Sequence, residues 1–155
     1  MTHKEIKIYT DGAARGNPGP AGWGVVFIEG KKVFEIGGRE NHATNNQMEL
    51  TASIEALKYV KKHKINAPIE FYADSKYVIL GITEWFFTWQ KNNWRNAAKK
   101  PVLNKELWEE LFKLTEEFKP KWNYVKGHNG DKYNDRADEI ATSFADDNPV
   151  ELKNA

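Results

Sequence analysis

The stretch that most constrains this chain is Lys7-Ile-Tyr-Thr-Asp-Gly-Ala-Ala-Arg-Gly-Asn-Pro-Gly-Pro20, where an apolar alternation stops at an aspartate and gives way to glycine and proline. Ile6 and Ile8 alternate with polar residues, so the spacing predicts a strand from Lys4 to Thr10. Asp11 then stands at the end of a core strand. An ionised carboxylate there is costly to bury alone and asks for water, a partner or a cation. An aspartate before glycine also starts turns. What matters is whether the rest of the chain brings other carboxylates to Asp11.

The chain has 155 residues, 40% hydrophobic and 13% aromatic, enough for the core of one compact domain and too few for two ordinary ones. It has no cysteine, which excludes disulfides, a thiol nucleophile and any cysteine-held zinc or iron–sulfur group. Oxygen ligands and histidine are left for a metal. The opening Met-Thr-His-Lys-Glu is no apolar leader, and the longest apolar run, Val25 to Ile28, is far too short to span a bilayer. The expectation is a cytoplasmic protein without a membrane partner. Formal net charge is only +1, but Lys91, Arg95, Lys99, Lys100 and Lys105 fall in a stretch with no acidic residue.

Gly22 to Ile28 and Lys32 to Gly37 read as strands joined by a hairpin at Glu29-Gly30-Lys31, which makes three antiparallel neighbours with the first. Thr44-Asn-Asn-Gln47 has the form of a capping box and opens a helix through Lys62, with Leu50, Ile54 and Leu57 on its apolar stripe and Glu49 in its first turn. Ile69-Glu-Phe-Tyr-Ala-Asp74 is another strand that ends in aspartate. Strand, helix, strand suits a parallel crossover, and parallel neighbours end on the same side of a sheet, which brings Asp74 beside Asp11. Ser75 to Asn92 reads as an aromatic-rich helix with Gly81 as a kink or close-packing point, and Leu103 to Phe118 as an amphipathic helix. Trp122 to Val125 is a short strand and Asn134 to Ala145 the last helix. Residues 1–146 form the single domain, and 147–155, without apolar periodicity, a flexible tail.

Asp11, Glu49, Asp74 and a carboxylate from the last helix can thus form one acidic cluster at the carboxyl edge of a mixed sheet. Mutual repulsion raises some pKa values in such a cluster unless a counter-charge is bound. Two Mg²⁺ ions would cancel four negative charges, and ions about 4 Å apart suit phosphodiester hydrolysis, one activating water and the other stabilising the leaving oxygen. Spacing alone leaves scattered surface acids as an equal alternative.

Thr10-Asp-Gly with Gly16-Asn-Pro-Gly, Thr44-Asn-Asn-Gln-Met-Glu49, Asp74-Ser75, Lys126-Gly-His128 and Asn134-Asp-Arg-Ala-Asp138 resemble, in order and spacing, the bacterial type 1 ribonucleases H. The match runs from about Ile6 to Ala145. The resemblance implies an α/β fold of the ribonuclease H type, a five-stranded mixed sheet with its first three strands antiparallel, flanked by helices. It implies a monomeric endonuclease that hydrolyses the RNA strand of RNA/DNA hybrids without strong sequence specificity and leaves 5′-phosphate and 3′-hydroxyl ends. Asp11, Glu49, Asp74 and Asp138 would hold two Mg²⁺ ions, with Mn²⁺ as a substitute; Asp138 is thereby chosen over Asp131, Asp135 and Glu139. His128 falls where the family places a histidine that assists proton transfer or product release.

By the same resemblance, Gly12, Ala14, Asn17, Asn45 and Asn46 line the RNA minor groove, where the 2′-hydroxyl tells RNA from DNA. Thr44 would hold a DNA phosphate, alongside its helix-capping role. Lys76 stands where many relatives have an amide, and a cation there suits phosphate rather than sugar or base. The basic segment with Lys99 and Lys100 resembles the family's DNA-gripping protrusion. Trp85 and Trp89 are spaced i, i+4, with core packing favoured for Trp89 and DNA contact for Trp85. Two other readings are a catalytically silent hybrid-binding module and another nuclease or strand-transfer enzyme of the same fold.

Overall fold

The chain begins with three strands, β1 (Ile6–Ala14), β2 (Gly19–Glu29) and β3 (Lys32–Ala43), in a computed structural model that describes residues 5–126 and 131–154. Helix α1 (Asn45–Lys62) leads to β4 (Ile69–Ala73). A helical arm follows, made of α2 (Lys76–Leu80), one π-helical turn (Gly81–Trp85) and α3 (Phe86–Lys91). Then come α4 (Lys105–Phe118), β5 (Lys121–Tyr124) and α5 (Lys132–Ala145). The five strands form one sheet in the order β3-β2-β1-β4-β5. β1, β2 and β3 pair antiparallel, and β4 pairs parallel to both β1 and β5.

Period-two alternation along β1 decides which side chain meets which layer. Ile6 and Ile8 enter the larger core with Val25, Phe27 and Phe71, covered by Leu50, Ile54 and Leu57 of α1 and Trp108 and Leu111 of α4. Tyr9 faces the other way, into a smaller core with Val26 and with Ala137 and Ile140 of α5, and Ala13 meets Ala141 and Ala145. Each large side chain fully buried in these layers contributes about 1.5–3 kcal/mol. Asp11 shares the parity of Tyr9 and Ala13, on the side that α5 covers.

The structure departs from the sequence expectation in several places. β1 does not stop at Thr10 but runs to Ala14, because Gly12, Ala13 and Ala14 pair with Trp23, Gly22 and Ala21. Small residues are poor strand formers, yet here they let helices approach the sheet closely. β2 begins at Gly19 and β3 continues to Ala43, so the Gly/Pro loop shrinks to residues 15–18. The helix expected over Ser75 to Asn92 is interrupted by the π-helical turn, where Gly81 lies so close to the Trp108 ring that a Cβ would overlap it. α4 starts at Lys105, after Asn104 takes a left-handed φ of 63°. α5 starts at Lys132, its first N–H groups capped by the Asp131 side chain, which accepts from Tyr133 N and Asn134 N at 3.0 Å.

The segment after Asp146, expected to be a flexible tail, is docked against the edge strand β3. Glu35 N donates to Lys153 O (2.8 Å) and Lys153 N donates to Glu35 Oε1 (2.9 Å). Arg136 Nη2 donates to Glu151 O (2.8 Å), and Val150 and Leu152 pack against the smaller core. The pairing covers backbone groups that an edge strand would otherwise expose. Among the described residues no helix is long and apolar enough to cross a membrane.

Candidate active site

The carboxyl edge of the β1–β4 pair is where the acidic residues gather. The parallel register ends at Thr10 opposite Ala73, so Asp11 and Asp74 occupy the next row. There the chain after β4 leaves the sheet, as the Ser75 side chain accepts from Val78 N (3.2 Å) and opens α2. Glu49 arrives from the other direction on α1. That helix is started by Thr44, whose Oγ1 accepts from Gln47 N (3.1 Å) while Gln47 Oε1 accepts from Thr44 N (2.9 Å). Glu49 lies just past the first turn rather than in it. Gly12 makes the approach possible, since a Cβ there would fall 2.5 Å from Glu49 N. Its N–H donates both to Asp11 Oδ1 (2.9 Å) and to Glu49 Oε1.

Asp11, Glu49 and Asp74 each offer a carboxylate oxygen, and these oxygens all lie within 4.8 Å of one another. Asp138, on α5, stands outside that tight trio but lines the same cavity of about 410 Å³, together with Arg15, Asn45 and Ser75. Asp11 and Glu49 are only 5% and 6% exposed. Burial pushes the Asp11 carboxyl far above its usual range, and the charges of Glu49, Asp74 and Asp138 push the same way. Glu49 is pushed up to about 7, by burial first and the Asp74 charge next, against the pull of hydrogen bonds from Asp11, Gly12 N–H and Ser75. Among the described residues neither Asp11 nor Glu49 has a lysine or arginine in ion-pair range.

A divalent cation resolves this conflict. Buried like charges cannot all ionise unless positive charge is supplied, and closely gathered hard oxygen donors are the ligands that magnesium-class ions take. Asp11, Glu49 and Asp74 fit such an ion, and Asp138 lines the same cavity.

The other predicted residues that the structure describes line two cavities or lie outside both. Asn17 Oδ1 accepts from Asn45 N (3.0 Å), so this loop residue helps to cap α1. Asn17, Thr44 and Asn46 line a second cavity of about 490 Å³ between the start of α1 and the basic segment, while Gly12, Ala14 and Asn45 line the acidic one. Lys99 and Lys100 are exposed on a tight loop that Asn96 closes by accepting from Ala98 N and Lys100 N, both at 3.0 Å. Trp89 packs its ring edge-on against Trp108 with centroids 5.2 Å apart, whereas Trp85 is 38% exposed. Lys76 is not among the residues that line the acidic cavity; its Nζ lies 5.1 Å from the centre of the Tyr124 ring on β5. His128 lies outside the described residues.

Sequence reasoning missed a polar chain that joins the α1 cap to the basic loop. Gln47 Nε2 donates to Asn104 Oδ1 (3.3 Å), Asn104 Nδ2 to Tyr77 OH (3.1 Å), and Trp108 Nε1 to the same hydroxyl (3.2 Å). An asparagine, Asn104, near the start of an amphipathic helix was the one available signal. It also missed Arg15, which lines the acidic cavity while tied to Asp146; partners 131 residues apart leave no local trace.

A family model described as RNase H matches residues 3–146. Ribonuclease H of Thermosynechococcus vestitus is 49% identical over 155 residues, covering 99% of this chain and 96% of the relative. Ribonuclease H of Erythrobacter litoralis is 48% identical over 143 residues, covering 92% and 97%. Among solved structures, LC9-RNase H1 superposes with a TM-score of 0.85 at 23% identity, covering 100% of this chain and 79% of the other, a likeness of fold. LC11-RNase H1 in complex with RNA/DNA hybrid has a TM-score of 0.69 at 30% identity, covering 92% and 97%.

Proposed function

The chain belongs to the RNase H family, and from that premise we infer that the acidic cavity is the catalytic centre of an endonuclease that hydrolyses the RNA strand of RNA/DNA hybrids. The observation that carries the reading is the convergence of Asp11, Glu49 and Asp74 oxygens within 4.8 Å, with Asp138 on the same cavity. Divalent metal dependence is a property of the family, and we assign the cation sites here to Asp11, Glu49, Asp74 and Asp138, with two Mg²⁺ ions, or Mn²⁺ in their place. When bound, the ions supply a nucleophile at neutral pH and charge stabilisation of the phosphodiester in its transition state.

The chain's own groups do the rest. Asp11 is central to the set: the charges of Glu49, Asp74 and Asp138 all act on its carboxyl. Gly12 N–H and the Ser75 hydroxyl fix the Glu49 carboxylate by hydrogen bonds, so its oxygens are aimed before any cation arrives. His128 is assigned proton transfer at the cleaved phosphate or assistance to product release. Asn45, Gly12 and Ala14 border the acidic cavity and present polar groups to the RNA sugar edge. The neighbouring cavity with Thr44 and Asn46, rimmed by the loop that carries Lys99 and Lys100, is assigned to the DNA backbone. Trp85 is assigned to the same strand, while Lys76, held over Tyr124, is assigned a backbone phosphate. All four carboxylates come from one chain, so a monomer suffices, working in the cytoplasm.

One assay tests the reading: labelled RNA/DNA hybrid, duplex DNA and duplex RNA, each with Mg²⁺ and with chelator. The expected result is cutting of the hybrid alone, abolished by chelator, with 5′-phosphate and 3′-hydroxyl ends. Tight hybrid binding without cutting would instead mark a silent binding module, and cutting of duplex DNA another nuclease of this fold.

A further inference from the structure

Arg15 is the one cation among the described residues that line the acidic cavity. It sits in the short β1–β2 loop, and its guanidinium forks onto Asp146 at the end of α5, with Nε 2.6 Å from Oδ1 and Nη2 2.8 Å from Oδ2. The two side chains are 52% and 48% exposed. A pair so wet adds little to stability, which leaves its place beside the four carboxylates to be explained by something else. A planar guanidinium has five donors on two usable edges. Asp146 takes the Nε/Nη2 edge, which leaves the Nη1/Nη2 edge for a second anion. The pair also spans the cavity's two supports, β1 with Asp11 and α5 with Asp138.

We propose that Arg15, held in orientation by Asp146, is a substrate-positioning residue that takes a backbone phosphate of the RNA strand next to the scissile one. Four residues of extended chain from Asp11 to Arg15 cover at most about 14 Å, and Arg15 itself lines the cavity. Arginine suits the task, since its fork matches phosphate oxygens two at a time, whereas a lysine offers a point charge. The carboxylates repel the polyanion that the site must admit, and Arg15 supplies attraction at the point of entry. This deepens the reading of the chain as a hybrid-cleaving enzyme and rests on it.

The test compares wild type with Arg15→Gln, Arg15→Lys and Asp146→Asn by steady-state hybrid cleavage at several salt concentrations. Arg15→Gln is expected to raise KM about tenfold and to lower the slope of log affinity against log salt by about 0.7–0.9, with the melting temperature held and kcat moving less than twofold. Arg15→Lys keeps the salt slope but recovers only part of the KM. Asp146→Asn raises KM, although it removes a negative charge, because it frees the fork; in the Arg15→Gln background the same change lowers KM. A hybrid with one neutral methylphosphonate beside the scissile linkage weakens binding to wild type and not to Arg15→Gln. Unchanged KM and salt slope in Arg15→Gln, or an Asp146→Asn enzyme that binds more tightly than wild type, overturns the proposal while wild-type hybrid cutting stands. Failure of wild type itself to cut the hybrid overturns the functional reading instead.

Discussion

Glu35 and Glu49 are buried to nearly the same degree, 5% and 6% exposed, and the fold treats them in opposite ways. Glu35 on β3 receives Arg136 Nε at 2.8 Å, Arg136 Nη2 at 3.0 Å and Lys153 N at 2.9 Å. Burial alone would raise its pKa, but the hydrogen bonds and charge of Arg136 and the Lys153 N–H win, and the carboxyl ends below its usual value. Glu49 has only Asp11, a backbone N–H and a serine hydroxyl, with Asp74 pressing from nearby, and it ends well above. A buried carboxylate supplied with its own guanidinium is finished as a structural part. Buried carboxylates gathered without one are incomplete until a cation comes from solution, and that deficit is what a catalytic metal site requires.

The largest effect separates the two sites by readout. Asp74→Asn removes one of the proposed cation ligands, and kcat on hybrid is expected to fall at least about 1,000-fold, while the metal-free melting temperature holds or rises because a like charge has gone. His128→Ala, which spares the cation ligands, should cost less than Asp74→Asn and leave measurable cutting; activity equal to wild type across neutral pH would remove His128 from the mechanism.

The next effect runs the other way. Glu35→Ala strips Arg136 of its bidentate carboxylate and leaves it Glu139 and the Glu151 carbonyl as partners, and losing two hydrogen bonds between charged groups costs about 3 kcal/mol. Urea unfolding should show that loss, and the fraction still folded should cut hybrid at the wild-type kcat. Lost chemistry in folded Glu35→Ala protein would mean that the two glutamates are not separate in function.

The acidic edge was legible in the sequence because strands and helices advertise their ends. Asp11 and Asp74 each close an apolar alternation, the crossover rule places these two at one edge of the sheet, and the capping box sets Glu49 near the start of α1, within reach of that edge. The Glu35 site was not legible. Its partners stand 101 and 118 residues away, and the tail that contributes Lys153 has no periodicity, since it is anchored through backbone groups and only two half-buried side chains. β1 was read too short for a related reason: Gly12 to Ala14 look like loop, yet their smallness is what allows α1 and α5 to seat against the strand.

Opposite pKa shifts predict mirror-image pH dependence in the metal-free protein. Glu49 is raised from its usual 4.5 to about 7, so the stability it contributes is full below about pH 4.5 and is lost as pH climbs through 7. Glu35 is lowered from 4.5, so its contribution is present above that value and is lost as pH falls through its folded pKa. One proton's linkage over two pH units amounts to about 3 kcal/mol. Without metal, the stability gap between Glu49→Gln and wild type should therefore widen from pH 5 to 7, and saturating Mg²⁺ should close it. A gap that stays level across that range would mean that Glu49 is already ionised without a cation.

The smallest expected effect tests how far the Glu35 site depends on the tail. Removing residues 149–155 takes the Lys153 N–H from Glu35 and the Glu151 carbonyl from Arg136, and it uncovers the partly buried Val150 and Leu152. The bidentate Glu35–Arg136 pair remains, since both partners lie outside the deleted segment. Two half-buried side chains and four hydrogen bonds whose remaining partners turn to water are together worth about 2 kcal/mol, which for a chain of this size lowers the melting temperature by about 4–8 °C. Arg136 and Asp138 share α5 but face different partners, Glu35 for one and the acidic cavity for the other. Cutting by the truncated enzyme should therefore match wild type at temperatures where it is folded, with the same Mg²⁺ requirement. A truncated enzyme that stays folded but needs far more Mg²⁺ would show that the tail sets the position of Asp138, and that the structural glutamate and the catalytic one are coupled through α5.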